Sequence, residues 1–289
     1  MTDRHILLTI SDDASALQAV RFTCGFFRHT STLKATLFYV APNPKVGLSG
    51  AEIAKDYVTL NKREVAAKEV AQHALSRATE ILMGKNFPQD NFDSKILFQQ
   101  LGTANDIIQE GLAGMYDAIA LGRRGLSRLE ELLDKSVSKQ IITTRLETPL
   151  WICRQQEKPE PSVLLCTDGS PASLRTADHV GFMLKDEPEH SITIAYIDTS
   201  GGCDNGSEAM AKTRHVLKEN AIPSERIKEL VVEGKNVSEV IITLARGGGY
   251  GVIATGRTGR GEAKSRQFWG SVSMSLLRHL DFATMWITH

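Results

Sequence analysis

Two short glycine loops carry the most chemically suggestive spacing in the chain: Gly122-Arg123-Arg124-Gly125 and Gly256-Arg257-Thr258-Gly259. Each follows an apolar run, Ala118 to Leu121 or Val252 to Thr255. Glycines at the end of a strand let backbone N–H groups close around an anion, and a hydroxyl at the start of the next helix, Ser136 or Ser271, can add a further donor. Asp12 and Asp168 follow the first apolar run of each half and bring a carboxylate to the same edge. Together these residues make a cradle for a nucleotide phosphate. Arg123, Arg124 and Arg128, or Arg257, Arg260, Lys264 and Arg266, can neutralise the charge. The competing reading is structural: tight strand-to-helix turns, aspartates that cap helices, and solvated arginines.

Other chemistries lack their residues. There is no Gly-x-x-x-x-Gly-Lys-Ser/Thr string, no Gly-x-Gly-x-x-Gly after a first strand, and no recognisable hydrolase triad or metal-ligand spacing. Efficient catalysis is not expected; slow ATP hydrolysis is the most that a cradle and a carboxylate would support. Cys24, Cys153, Cys166 and Cys203 are far apart and read as structural thiols. Trp151 and Trp286 read as packing or interface residues.

The elements that must position these residues occur twice. Ser136-Val137-Ser138 through Trp151-Ile152 returns as Ser271-Val272-Ser273 through Trp286-Ile287, at an offset of 135 (271 minus 136). A period of this length means two domains, each with its own core. Apolar runs alternating with helical periodicity predict βαβ units and a mostly parallel sheet in each. The strands are expected near 5–10, 35–40, 94–99, 117–121 and 149–153, then 163–167, 192–197, 228–232, 251–255 and 284–288. Core-facing helical stripes are Leu17, Val20, Cys24 and Phe27; Ala71, Ala74, Ala78 and Ile81; and Val237, Val240, Ile241 and Leu244. The polar, proline-bearing stretch around 154–161 sets the boundary, giving domains 1–155 and 162–289 joined by a linker at 156–161.

Of 289 residues, 42% are hydrophobic and 24% charged, with 34 basic balancing 34 acidic, so no nucleic-acid or anionic-membrane partner is indicated. The lack of a secretory or membrane-spanning apolar run predicts a cytoplasmic protein.

The arrangement resembles the universal stress protein family in its tandem form, with a signature of Gly, two residues, Gly, nine residues, Gly, then Ser or Thr. The resemblance implies an α/β fold of two tandem Rossmann-like domains, each a five-stranded parallel sheet in the order 3-2-1-4-5. It implies a regulatory stress-response protein binding ATP or another adenine nucleotide, with Mg²⁺. Site residues carried over by position are Asp12, Val40, Gly122, Gly125 and Ser136 in the first half. In the second they are Asp168, Ile197, Gly256, Arg257, Gly259, Gly270 and Ser271. The first half has Lys135 where the signature has its third glycine, whereas the second keeps Gly270 but spaces it by ten residues. If that backbone needs positive φ, a side chain costs about 1–2 kcal/mol, which favours the second half as the nucleotide site. The alternative is a nucleotide-free scaffold with degenerate loops. The resemblance also implies that 149–153 and 284–288 pair within the chain as an intramolecular pseudo-dimer, which can dimerise again or meet a further protein partner.

Overall fold

The structure, a computed structural model, describes residues 4–13, 17–122, 147–156, 158–201, 205–259 and 270–289. Among the described residues ten strands form one sheet. In the first half these are β1 (Arg4–Ile10), β2 (Leu33–Ala41), β3 (Phe92–Phe98), β4 (Ala118–Leu121) and β5 (Leu150–Ile152). The second half contributes β6 (Ser162–Cys166), β7 (Ser191–Asp198), β8 (Ile227–Glu233), β9 (Val252–Gly256) and β10 (Thr284–Thr288). The spatial order is β3-β2-β1-β4-β5-β10-β9-β6-β7-β8, so each half reads 3-2-1-4-5 from its outer edge to the seam.

Inner strands are apolar on both faces because helices cover both faces of a parallel sheet. Ile6, Leu7 and Leu8 of β1, for example, are all fully buried. The outer strands β3 and β8 are half-exposed and carry Asp93, Lys95, Lys228 and Glu229, charges that discourage edge pairing. One face packs against α1 (Gln18–Phe26), α3 (Tyr57–Gly84), α5 (Pro171–Leu184) and α6 (Asn205–Glu219). The other packs against α4 (Thr103–Ala113), α7 (Val237–Gly248) and α8 (Ser271–His279). The first half also carries a short α2 (Gly50–Lys55) closed by a Ser49–Glu52 capping box.

The halves join by an antiparallel pair, β5 with β10, in which Trp151 and Trp286 are register partners. Their rings stack at 4.3 Å and 6°. Phe27 of the first half stacks on Trp151 at 5.7 Å, and Trp151 Nε1 donates to His179 Nε2 of α5 at 3.0 Å. Below the stack lies a buried ionic clamp. Arg4 donates to the Met183 carbonyl at 2.7 Å and to Glu187 at 3.4 Å, while Glu187 accepts the backbone N–H of Arg28 at 2.9 Å. Arg4 and Glu187 have fully buried side chains.

The proline-bearing connector is also held in place. Gln156 donates to the Gly251 carbonyl and to Thr284, and Arg154 donates to the Leu277 carbonyl. Pro159 packs so closely that a Cβ on Gly25 would lie 2.9 Å from its ring. Among the described residues no helix is long and apolar enough to cross a membrane.

Candidate functional site

In the second half the sheet order reverses at β6, which has β7 on one side and β9 on the other. A crevice opens where neighbouring parallel strands send their connections to opposite faces. Here it is a cavity of about 470 Å³, within the usual range for a small-molecule site of about 300–1,000 Å³. Its floor is apolar: Cys166 of β6, Ala195 and Ile197 of β7, and Val237 and Ile241 of α7. Its rim is polar: Asp168, Asp198, Thr255, Arg257 and the glycine loop.

Local chemistry explains how the rim is built. Asp168 does not cap α5. That role belongs to Ser170, whose hydroxyl accepts the Ser173 N–H, with Pro171 at the first helical position. Asp168 Oδ1 instead accepts the Ser170 N–H at 2.9 Å, which fixes the turn, and Gly169 takes φ of 73° within it. Gly259 sits against this carboxylate; a Cβ there would lie 3.1 Å from Asp168 Oδ2. Gly256 meets the backbone of Ala172 and Ser173 at the start of α5, where a Cβ would lie 3.0–3.1 Å away. Both glycines are therefore needed for close packing.

Arg257 and the start of α8 are tied together. The Gly270 N–H donates to the Arg257 carbonyl at 2.7 Å, and Ser273 Oγ donates to the carbonyls of Arg257 at 2.8 Å and Gly270 at 3.0 Å. This presents the first turn of α8 to the crevice through Val272 and Ser273. Ser271 is exposed beside that wall and does not line it. Gly270 has φ −66° and ψ 159°, extended backbone open to any residue. The expected positive-φ penalty at this signature position is thus absent, and the preference for the second half must stand on other grounds.

Arg257 is largely buried, and its pKa is lowered first by that burial and then by the like charge of Arg175. An anion beside it would relieve both penalties. Burial pushes the Cys166 thiol up to about 12, so it is a neutral, apolar part of the floor. Cys153, likewise buried, is shifted upward for the same reason.

Of the second-half candidates, Asp168, Ile197, Gly256, Arg257, Gly259 and Gly270 all line one cavity. In the first half Asp12 is exposed after β1, Val40 is partly buried in β2, and Gly122 is buried after β4. Gly125 and Ser136 lie outside the described residues, as do Arg123, Arg124, Arg128, Lys135, Cys203, Arg260, Lys264 and Arg266.

The register corrects one equivalence. Leu8 is opposite Leu37 and Ala120, and Leu165 is opposite Ile194 and Ala254. Counting from these anchors, Ser11 corresponds to Asp168, and Asp12 corresponds to Gly169. The hydrogen bonds agree, since Ser11 Oγ accepts the Asp13 N–H as Asp168 accepts that of Ser170.

Sequence reasoning missed Ala195, Asp198 and Thr255, and took Val237 and Ile241 for core alone. A signal for Ala195 and Asp198 existed: both lie on the strand whose Ile197 had already been selected.

The universal stress protein family model matches residues 161–287. No curated protein matches the chain. Among solved structures, a universal stress protein from Archaeoglobus fulgidus DSM 4304 is similar at 17% identity, covering 98% of this chain and 95% of that one with a TM-score of 0.65. A functionally unknown protein from Pseudomonas aeruginosa PAO1 is similar at 14% identity, covering 99% and 92%, with a TM-score of 0.53. At these identities the likeness is one of fold, and it extends over both halves. Residues 161–287 thus match the universal stress protein family, and the likeness of fold covers both halves of the chain.

Proposed function

We propose that the chain is a regulatory nucleotide-binding protein of two domains, 1–155 and 162–289, and that the second-domain cavity takes an adenine nucleotide, ATP with Mg²⁺. One observation carries this reading: a cavity of about 470 Å³ combines an apolar floor with a rim holding Arg257, Asp168 and the glycine loop. The floor of Cys166, Ala195, Ile197 and Ile241 suits a flat aromatic base. Arg257 and the first turn of α8 suit phosphates. Asp168, the rim carboxylate against Gly259, would hold Mg²⁺ beside the phosphates. Such an ion would supply neutralisation of the phosphate charge.

The test is to denature the purified protein, identify released nucleotide by mass spectrometry, and titrate Mg·ATP calorimetrically. Bound or titratable ATP is expected, with affinity at least tenfold weaker in Arg257→Ala. No release and no heat at millimolar ATP would refute the reading.

A further inference from the structure

We infer that the two crevices are not equivalent: Phe38 fills in the first half the space that forms the cavity floor in the second, so the chain takes one nucleotide. The identity of the ligand rests on the reading above; the plug does not.

The strand register carries the inference. Thr9 is opposite Phe38, and Cys166, at the matching place in β6, is opposite Ala195. Both side chains point to the same face. Phe38 packs in the cluster that contains Leu7, Ile107, Ile119 and Leu121, while Ala195 packs with Leu164, Ile241 and Ile253. Phe38 is only 1% exposed. A space of roughly 150 Å³ holds one benzene ring, so a phenyl at the alanine position would take about a third of the second cavity, and it would take the floor.

The rim changes in the same direction. Continuing the register, Ser11 stands for Asp168, Ala41 for Asp198 and Leu121 for Thr255. Bulk enters, and two rim carboxylates are lost. Val40 and Ile197, and Gly122 and Gly256, still correspond, so the strand ends and the turn are kept while Asp168, Ala195, Asp198 and Thr255 are replaced.

The test uses thiols as reporters. Cys166 lies on the cavity wall, and Thr9→Cys puts a thiol at the same register in the first half. Full-length protein treated with methylmercury and mapped by peptide mass should label Cys166, with the introduced cysteine at least tenfold slower. Adding Phe38→Ala should release that block, and Ala195→Phe should slow labelling of Cys166. Equal labelling of Cys166 and the introduced cysteine would overturn the inference.

Calorimetry of the full chain with Mg·ATP should give one site, abolished by Ala195→Phe and retained in Phe38→Ala. Two sites per chain would overturn the inference. If no ATP binds, the proposed ligand is wrong and the labelling still decides the plug. If Ala195→Phe does not fold, the Thr9→Cys pair decides it.

Discussion

At the seam, Trp151 and Trp286 meet as register partners and stack ring on ring. At the strand ends, Ser11, Phe38 and Ala41 of the first half stand where the second half has Asp168, Ala195 and Asp198. The seam serves both halves at once, since pairing β5 with β10 satisfies two sheet edges and buries both indoles, and a change on either side is felt by both. A crevice serves only the half that owns it. Once one crevice suffices, the other can be filled, and filling it adds apolar contacts to its core. The comparison teaches that symmetry persists where the halves depend on each other and fades where they do not.

The largest effects should come from the seam. Trp151→Ala and Trp286→Ala should each cost about 3–5 kcal/mol, read from denaturant midpoints. The indoles are not interchangeable, however. Trp151 donates to His179, whereas Trp286 Nε1 has no hydrogen-bond partner among the described residues. Trp151→Phe should therefore cost about 1 kcal/mol more than Trp286→Phe; equal costs would mean that the His179 bond contributes nothing net.

Next is the ionic clamp. Arg4→Met leaves Glu187 as an uncompensated buried carboxylate and should cost about 3 kcal/mol or more, whereas replacing both partners with apolar residues should recover much of that. A double mutant no better than Arg4→Met alone would mean that other donors in the 28–29 turn, not Arg4, balance Glu187.

His179 supplies a pH dependence. Burial pushes its pKa from the ordinary 6.5 down to about 3, so the folded state keeps the imidazole neutral as the acceptor for Trp151. The unfolded chain takes up that proton below about pH 6.5. The stability that this neutral acceptor confers is complete above pH 6.5 and is lost as pH falls toward 3, by at most about 1.4 kcal/mol per pH unit. His190, also lowered chiefly by burial, adds to the same trend. Urea midpoints at pH 7 and 5 should differ less in His179→Gln than in the parent.

The smallest effects concern helix ends where one half departs from the other. Asn86 and Ala221 both follow a helix with φ near 58–59°, and Phe87 and Ile222 donate back to Leu82 and Leu217 in the same closing bond. Met115 at φ 51° corresponds to Gly249 at φ 62°, each preceding a tyrosine that packs over a glycine. A side chain in the left-handed region is strained, so Ala221→Gly and Met115→Gly should each stabilise by up to about 1 kcal/mol, offset in part by glycine's entropy. Gly249→Ala should do the reverse. Thermal melts of all three variants measure how far each half has moved from its best local residue.

Much of this architecture was legible from one chain. All ten expected strands formed; the inner ones were legible because a strand buried on both faces must be apolar throughout, and that is a local property. The repeated Trp-Ile segments pointed to the paired final strands. Helix α3 runs from Tyr57, well before the stripe that begins at Ala71, and α2 was missed, since both stretches lie mostly outside the core and carry little apolar periodicity. In the site, the glycine loop and Asp168 were readable because backbone approach and charge demand particular residue types.

The chain alone thus determined the strands, the turns and the residue types at their ends. Which crevice stays open was decided by tertiary structure. Asp12 and Asp168 look alike as aspartates after an apolar run, and only hydrogen bonds between neighbouring strands show that they sit one residue out of step. Phe38 and Ala195 are both unremarkable strand residues until the register sets each opposite its partner on β1 or β6. A cavity is the space left between side chains from elements far apart in sequence, so no local pattern records it.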